Sequence, residues 1–449
     1  MPEVFPFRAL QFNGGSGDVT PLVSPPYDVL DGEAKAGLLE QDADNIVAVD
    51  LPHVPAKSLG PQSVYDAAAE RLESLIEQGT LSRRERPTMF AYRQTFEFRG
   101  ERFERCGMAC TLETVPLGHR EGGGVLPHEE TFSGPKEDRL ALMSATKTQL
   151  SPIFGLHADD QGRASALVRE AMATRPCDQR CTLVETDGAS VTHEAWAIDD
   201  AATVAAYQQA LRGEDVFIAD GHHRYNTAVN YLESLGEAVP ADHAARRTMF
   251  VLVSMSDPGL TIGPTHRVLG GMSDYSHERF IEAAAGYLQV EPTVNDPEQI
   301  EAEMAKIEAR GDTHVFGVID LSTGLCWTAT AVDDDPLADR FDERSAAWRG
   351  LDVSIIQHVV VEEVCQPELN GGEPVTWAFP HSIDEVLEIG RGRQTGSSAG
   401  VPSGQLALIV RPTPLEAVRS VCMAGELMPQ KSTFFYPKLA TGLFLNPLS

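Results

Sequence analysis

The stretch "VFIADGHHRYNTAVNYL" (Val216–Leu232) decides how this chain is organised. Its first residues are apolar, aromatic or β-branched, which is typical of a buried strand, and they end at Asp220 and Gly221. Two histidines and an arginine follow, and apolar residues at helical spacing begin directly after them. The pattern predicts a strand that turns into a helix, with five chemically active residues crowded at the turn.

These five residues fit an anion-binding site. The first backbone amides of a helix lack partners within the helix, and the helix dipole favours negative charge in front of them. Gly221 permits close approach of a ligand, while Arg224, His222 and His223 bring hydrogen-bond donors suited to phosphate. Asp220 fits less well because a carboxylate repels phosphate, so it is expected to cap the helix, to bind a metal that bridges to phosphate, or to orient a hydroxyl. The alternative is an Asp cap with histidines that only pack.

The composition favours a cytoplasmic protein that does not bind nucleic acid. The net charge is −30, whereas binding through phosphate contacts needs a basic face. The first thirty residues lack a secretory signal, and no apolar run approaches the length of a membrane span, so no membrane partner is expected. The seven cysteines are expected to be reduced thiols, although two C-x3-C pairs leave a metal site as an alternative.

Lysine is rare in this chain, with only seven residues against 29 arginines. Four of the seven fall in two short segments, 136–147 and 431–438. Because lysine offers a compact ammonium where arginine offers a planar fork, this clustering indicates places that need a point charge. Ordinary surface is the alternative interpretation of both segments.

Three further motifs carry candidate site residues. "PTHR" (264–267) places His266 and Arg267 at a predicted strand end, and "MPQKSTFFYPK" (428–438) places Lys431 beside aromatic residues. "PHEETFSGPKEDR" (127–139) mixes carboxylates with cations, which can prepare a carboxylate to act as a general base or can form a solvated ion-pair loop. Its ionisable or hydroxyl-bearing residues include His128, Glu129, Glu130, Thr131, Lys136, Glu137, Asp138 and Arg139.

Helical and strand patterns alternate along the whole chain, which predicts an α/β protein with mixed sheets. The segments 87–98 and 102–115 are expected to pair around a turn at Arg99 and Gly100, and 63–79 and 138–150 are expected to be helical. The long glycine-rich loop before the second of these helices is expected to be functional, and the low-complexity stretch 390–404 to be a loop. We predict three regions with the bounds 1–115, 116–272 and 273–449.

Six motifs in this order resemble a bacterial and archaeal family catalogued as a domain of unknown function: "SPPYDV", "PHEETFSGPKEDR", "FIADGHHRYNTA", "DPGLTIGPTHR", "LDVSIIQH" and "MPQKSTFFYPK". The resemblance runs from Phe5 to Pro447. The DGHHR turn is similar to the phosphate-binding corner of the ParB/sulfiredoxin-like fold, which includes partition proteins, sulfiredoxin and kinases of free L-serine. The resemblance implies a core of that fold over residues 116–272, between N- and C-terminal α/β regions.

The function implied by the resemblance is transfer of a phosphoryl group from ATP, ADP or pyrophosphate, with Mg2+, to the hydroxyl of free L-serine or a similar small metabolite. Glu129 is the expected base, with Glu137 as the alternative. The turn is expected to hold the donor phosphates and orient the nucleophile, with Asp220 and His223 as catalytic residues and Asp220 as a metal ligand. The residues expected to bind phosphate or nucleotide are Gly221, His222, Arg224, Lys136, Arg139, His266, Arg267 and Lys431.

Two other functions fit the same residues. A nucleotide-binding regulator of the ParB type would bind nucleotide without turnover of a small acceptor, and a hydrolase would use water as the nucleophile. The carboxylate loop and the C-terminal half have no assured counterpart in the small serine kinases. The acceptor, the donor and the oligomeric state therefore stay open at this point.

Overall fold

The computed structural model describes residues 2–14, 17–56, 58–129, 133–185, 188–236, 238–393 and 404–449, with only the backbone at 133–135. Contacts divide the chain into two compact units. Unit 1 comprises Met1–Pro127, Thr131–Thr261 and Pro437–Ser449, and unit 2 comprises His128–Glu130 and Ile262–Tyr436. The three predicted regions with bounds after 115 and 272 stay a prediction.

The described strands are β1 (Val4–Phe5), β2 (Leu10–Phe12), β3 (Leu81–Arg83), β4 (Met89–Phe98), β5 (Glu101–Glu113), β6 (Val125–Leu126), β7 (Thr148–Gln149), β8 (Ile153–His157), β9 (Gln179–Val184), β10 (Ser190–Ile198), β11 (Val216–Asp220), β12 (Arg247–Ser254), β13 (Thr261–Gly263), β14 (Arg267–Gly270), β15 (Leu288–Pro292), β16 (Val315–Asp320), β17 (Cys326–Ala331), β18 (Thr376–Ala378), β19 (Gly404–Ile409), β20 (Phe434–Tyr436) and β21 (Asn446–Pro447).

The described α-helices are α1 (Gly32–Gln41), α2 (Val47–Asp50), α3 (Gln62–Glu77), α4 (Ser133–Thr146), α5 (Arg163–Ala173), α6 (Ala201–Ala210), α7 (His222–Ser234), α8 (His277–Ala284), α9 (Ile300–Glu308), α10 (Ala346–Arg349), α11 (Asp352–Ile355), α12 (Gln366–Leu369), α13 (Ile383–Gly390) and α14 (Leu415–Met423). A π-helix spans Ile356–Cys365 between α11 and α12. No helix among the described residues combines the length and the apolar character needed to cross a membrane.

Unit 1 is built on a mixed sheet of nine described strands, in the order β6-β11-β8-β12-β5-β4-β10-β9, with β1 beside β5. The pairs β6–β11 and β8–β12 are parallel, and the other neighbours are antiparallel. The strand β11 has four buried residues before Asp220, as the apolar run predicts. This burial fixes the strand, and therefore fixes where the turn after Asp220 lies.

Unit 2 has a separate sheet of six described strands in the order β15-β17-β16-β19-β14-β18, with antiparallel pairing throughout. Its core includes Val268, Ile319, Ala407 and Ile409, which are fully or almost fully buried. The strand β14 therefore carries Arg267 at the start of a central strand of this sheet.

The α/β class with mixed sheets is confirmed, and so is the hairpin at residues 99–100. Arg99 and Gly100 have φ values of 52° and 80°, and β4 and β5 pair on either side of them. The predicted helix over 138–150 begins earlier, at Ser133, and ends at Thr146. The strand pair β9–β10 was not predicted, and residues 394–403 of the predicted 390–404 loop lie outside the described residues.

Candidate functional site

The turn between β11 and α7 in unit 1 is tight. Asp220 ends the strand, His222 begins the helix, and Gly221 between them has a φ of 97°. A Cβ atom on Gly221 would lie 3.1 Å from Arg224 Nε, closer than such contacts normally are. Glycine is therefore favoured both by the left-handed backbone and by the guanidinium that folds back over it.

Two cations hold the carboxylate of Asp220. Arg224 Nη2 donates to Asp220 Oδ2 at 2.8 Å, and Arg224 Nη1 donates to the carbonyl of Pro152. Lys438 Nζ lies 3.3 Å from Asp220 Oδ1. The Asp220 side chain is 20% exposed, whereas those of Arg224 and Lys438 are 10% and 14% exposed. We call residues 220–224 together with Lys438 the corner.

The charges of the corner keep Asp220 ionised. Burial by itself would raise the pKa of Asp220, but Lys438, Arg224 and His222 outweigh it and hold the pKa well below its usual range. A carboxylate with so low a pKa is a poor proton acceptor at neutral pH. Asp220 is therefore suited to holding cations in place and not to serving as a general base.

The two histidines are the first two residues of helix α7. His222 is buried and His223 is half-buried, and the His223 carbonyl accepts a hydrogen bond from Thr227 Oγ1 at 2.8 Å. The amide of Tyr225 donates a hydrogen bond to the Gly221 carbonyl at 2.9 Å. The amides of residues 222–224 precede this bond, at the positive end of the helix dipole.

A small cavity of about 40 Å³ lies against the corner within unit 1. Arg224 and Arg139 both line it, together with Tyr27, Asp50 and Ser151. This volume has room for about three water molecules. Burial raises the pKa of Asp50, although Arg139 and Arg224 act in the opposite direction. The motif residues Tyr27, Arg139 and Arg224, far apart in sequence, therefore meet around one cavity.

The Arg139 side chain forms hydrogen bonds and a cation–π contact with residues of unit 1. Its Nε donates to Asp138 Oδ2 at 2.7 Å, its Nη1 donates to the Asp50 carbonyl at 2.6 Å, and its guanidinium lies 4.0 Å from the centre of the Tyr27 ring. Asp138 also accepts a hydrogen bond from the Tyr65 hydroxyl at 2.7 Å. The predicted phosphate-binding role of Arg139 stays a prediction, and these contacts give it a structural role as well.

The other predicted residues of the "PKEDR" segment lie at the start of α4. Lys136 is half-buried and Glu137 is exposed. Neither side chain forms a hydrogen bond or an ion pair with a described residue. Glu130 and Thr131 of the same motif lie outside the described part of the chain.

Glu129 belongs to unit 2, where the loop at 432–433 holds its carboxylate. Oε1 accepts hydrogen bonds from the amides of Ser432 and Thr433 at 2.8 and 3.1 Å, and from Thr433 Oγ1 at 3.3 Å. The buried His128 ring places Nε2 2.7 Å from Thr433 Oγ1. The "PHE" and "KST" segments, some 300 residues apart, thus form one local structure.

The "PTHR" segment also lies in unit 2, and its two predicted residues have different partners. His266 is buried, and its Nδ1 accepts the amide of Val410 at 3.2 Å. Arg267 is 2% exposed, its Nη1 donates to the Thr265 carbonyl at 2.5 Å, and its guanidinium lies 5.1 Å from the Phe379 ring. Burial lowers the pKa of Arg267 to about 10, against the opposing effect of Glu129.

Lys431 is exposed on a turn, with a φ of 61° and no hydrogen bond or ion pair to the residues that the structure describes. The lysine that does reach the corner is Lys438, seven positions later, which sequence reasoning missed as a site residue. The clustering of lysines at 431–438 was the available signal, but it did not distinguish the two. Only the folded contacts place Lys438 on Asp220.

The predicted site residues fall into two groups. Unit 1 contains Asp220, Gly221, His222, His223, Arg224, Lys136, Glu137 and Arg139, and unit 2 contains Glu129, His266, Arg267 and Lys431. Their roles stay predictions, since the contacts locate them but do not test what they bind.

The described residues contain no group of three or more His, Cys, Asp or Glu side chains that could hold a metal ion. Among the described residues, the seven cysteines form no disulfide with one another. Asp220, the predicted metal ligand, has Arg224 at one carboxylate oxygen and Lys438 at the other, so Mg2+ bound to Asp220 would lie beside two cations. Mg2+ as a cofactor stays a prediction that this arrangement does not favour.

A family model described as "Protein of unknown function (DUF1015)" matches residues 4–354. The chain belongs to this family. None of the curated proteins matches the chain.

Several solved structures match the chain at low similarity. They include a free serine kinase in complex with AMP (12% identity, TM-score 0.30, covering 73% of this chain and 95% of that chain) and a conserved hypothetical protein from Pyrococcus furiosus (14%, 0.31, 73% and 98%). SbnI with a C-terminal truncation from Staphylococcus aureus matches with 12% identity and a TM-score of 0.31, over 72% of this chain and 84% of that one. These TM-scores are too low to establish a common fold.

Proposed function

We propose that this chain is a phosphotransferase that moves a phosphoryl group from ATP, ADP or pyrophosphate to the hydroxyl of free L-serine or a similar small metabolite. This is the reaction that the motif resemblance implies, with a core of the ParB/sulfiredoxin-like kind. The observation that carries the proposal is the corner: an ionised Asp220 held between Lys438 and Arg224 where helix α7 begins.

In this proposal the corner binds the phosphates of the donor. The helix amides and the side chains of Arg224 and Lys438 hold the negative charge of the transferring group, which is where phosphoryl transfer needs stabilisation. Asp220 fixes both cations, so their geometry is set before the donor arrives. The acceptor hydroxyl loses its proton to a carboxylate, its oxygen bonds to the terminal phosphorus, and the bond from that phosphorus to the donor oxygen breaks.

The base is proposed to be Glu129, with Glu137 as the alternative. The two carboxylates have different surroundings, since Glu129 is held by three hydrogen bonds from residues 432–433, whereas Glu137 is exposed. A base held in one orientation loses less freedom during the reaction, which favours Glu129. Glu129→Gln and Glu137→Gln decide between them, because only the variant that lacks the base loses turnover while donor binding persists.

The proposal is tested by incubating the purified chain with ATP, ADP or pyrophosphate, Mg2+ and a panel of hydroxy amino acids, followed by detection of phosphoserine or another phosphorylated acceptor. Arg224→Lys is expected to lose most of the turnover, because a lysine cannot bond Asp220 and the Pro152 carbonyl together. Phosphate release without an acceptor product would instead identify a hydrolase. Nucleotide binding with neither product would identify a regulator of the ParB type.

A further inference from the structure

Arg267 stands out among the arginines of low exposure because it combines a single hydrogen bond with the lack of an ion pair to any described residue. Arg224 pairs with Asp220, and Arg139 pairs with Asp138. Arg105, which is 1% exposed, donates three hydrogen bonds to Gln94 and the Pro437 carbonyl. Arg267 makes one hydrogen bond, to the Thr265 carbonyl, and no ion pair with any described residue.

A buried guanidinium in this situation is costly. Taking a cation out of water costs several kcal/mol unless a counter-charge and hydrogen bonds replace the solvent. The Glu129 carboxylate influences the pKa of Arg267, but the amides of Ser432 and Thr433 and the Thr433 hydroxyl already engage one of its oxygens. The Arg267 charge is therefore still available to a ligand.

A second unused donor lies two residues away. Thr265 is 3% exposed, and its hydroxyl makes no hydrogen bond to the part of the chain that the structure describes. Arg267 Nη1 bonds the carbonyl of this same Thr265, so the two residues are in direct contact. A guanidinium and a hydroxyl on two contacting residues of low exposure are the kinds of group that bind a carboxylate or a phosphate.

We propose that Thr265 and Arg267 form a site within unit 2 for a small oxyanion, the carboxylate or phosphate group of a metabolite. The guanidinium supplies the charge and the planar donors, and the Thr265 hydroxyl supplies a further donor. The site goes beyond the function proposed for the corner, because it depends on residues of unit 2 alone.

The test measures anion-dependent thermal stabilisation of the full chain, with inorganic phosphate and acetate titrated separately against chloride at fixed ionic strength. Thr265→Val is expected to weaken the response about tenfold in affinity, because it removes one hydrogen bond to a charged ligand and keeps the shape of the side chain. Thr376→Val is the matched control, since Thr376 in the same sheet also has a buried hydroxyl without a hydrogen bond to the described residues. It should bind the anion like the unchanged chain.

Arg267→Met gives a second signature. It is expected to abolish the anion response while leaving the anion-free protein at least as stable, because it removes a buried charge that lacks a counter-ion. If this variant does not fold, the comparison of Thr265→Val with Thr376→Val still shows whether the site binds the anion. A stronger response to phosphate than to acetate would identify a phosphate ligand, and the reverse would identify a carboxylate.

The Arg224→Lys background separates this site from the corner. Phosphate held at the corner is weakened there, whereas the response that depends on Thr265 and Arg267 should persist. Absence of phosphoserine and of any other phosphorylated acceptor would overturn the proposed function and leave this site intact. An unchanged response in Thr265→Val, or no stabilisation of the unchanged chain by either anion, would overturn the site.

Discussion

Arg224 in unit 1 and Arg267 in unit 2 are both largely buried, but their surroundings treat the charge differently. Arg224 has a carboxylate at 2.8 Å and a second cation, Lys438, on the other side of that carboxylate. Arg267 has a neutral carbonyl and an aromatic ring. A buried charge that has its counter-ion needs no ligand to be stable, whereas one without a counter-ion points to a partner outside the chain.

The largest expected effect comes from removing the shared carboxylate of the corner. Asp220→Asn removes the carboxylate that both Arg224 and Lys438 contact, and we expect the free energy of unfolding to fall by about 3–5 kcal/mol in urea denaturation. Asp199→Asn, at an exposed ion pair with Arg86, should change it little. An equal, small loss in both variants would show that solvent screens the corner, and the contrast with Arg267 would then fail.

Acidification should affect the stability of the two units differently, because the pKa values of their histidines are shifted in opposite directions. Burial lowers the pKa of His157 to about 4 and that of His193 to about 3. Below pH 6.5 these two histidines are therefore protonated in the unfolded chain but still neutral in folded unit 1. The free energy of unfolding of unit 1 therefore falls as the pH drops from about 6.5 to 4, by on the order of 2 kcal/mol for each histidine at pH 5. In unit 2 the hydrogen bond that His314 donates to the Asp352 carboxylate raises the pKa of His314, so its contribution to stability is complete below pH 6.5 and is lost as the pH rises through the folded value.

Hydrogen exchange followed by mass spectrometry at pH 7 and pH 5 measures this difference, once intrinsic exchange rates are corrected. The amides of β12 in unit 1 should lose protection on acidification relative to those of β16 in unit 2. His157→Gln should remove about half of the acid effect. Equal loss of protection in both units would contradict the assignment.

The next effect compares the two lysines of the C-terminal cluster. On the proposed function, Lys438→Met should lower turnover about thirtyfold, equivalent to about 2 kcal/mol, because it removes a charged donor from the corner. Lys431→Met should leave turnover nearly unchanged, because Lys431 is exposed and contacts no charged group of the described chain. Steady-state kinetics measure both. If Lys431→Met lowered turnover more than Lys438→Met, the result would support the phosphate-binding role predicted for Lys431 from the sequence.

The smallest expected effects come from substitutions at two residues with a left-handed backbone conformation. Gly221→Ala should lower the free energy of unfolding by about 1–2 kcal/mol, since alanine is strained at a φ of 97° and its Cβ meets Arg224. Lys431→Gly should raise it by about 0.5–1 kcal/mol, because it relieves a left-handed conformation in a lysine. Calorimetric melting of both variants measures the pair. A change of the same sign in both would show that factors other than backbone strain dominate.

Much of the fold follows from local signals in the sequence. The apolar run before Asp220, the hairpin at residues 99–100 and the alternation of helix and strand patterns were sufficient to predict the α/β class and the strand-to-helix turn. The pair β9–β10 was missed, because polar residues such as Arg180 and Thr182 occupy exposed positions of β9 and interrupt the apolar pattern. The start of α4 was placed five residues late, because proline and glycine in "FSGPKEDR" indicated a loop although Pro135 falls in the first turn of the helix, where proline is tolerated.

The residue types of the candidate site were determined by the sequence alone, since the motifs bring acids, histidines and cations to turns and strand ends. Which of them meet was decided only by the tertiary structure. Lys438 reaches Asp220, Ser432 and Thr433 hold Glu129, and Arg139 is engaged by Asp138 and Asp50. The physical reason is that charge pairing and burial depend on distances between segments up to 300 residues apart, and such distances exist only after the sheets and helices have packed.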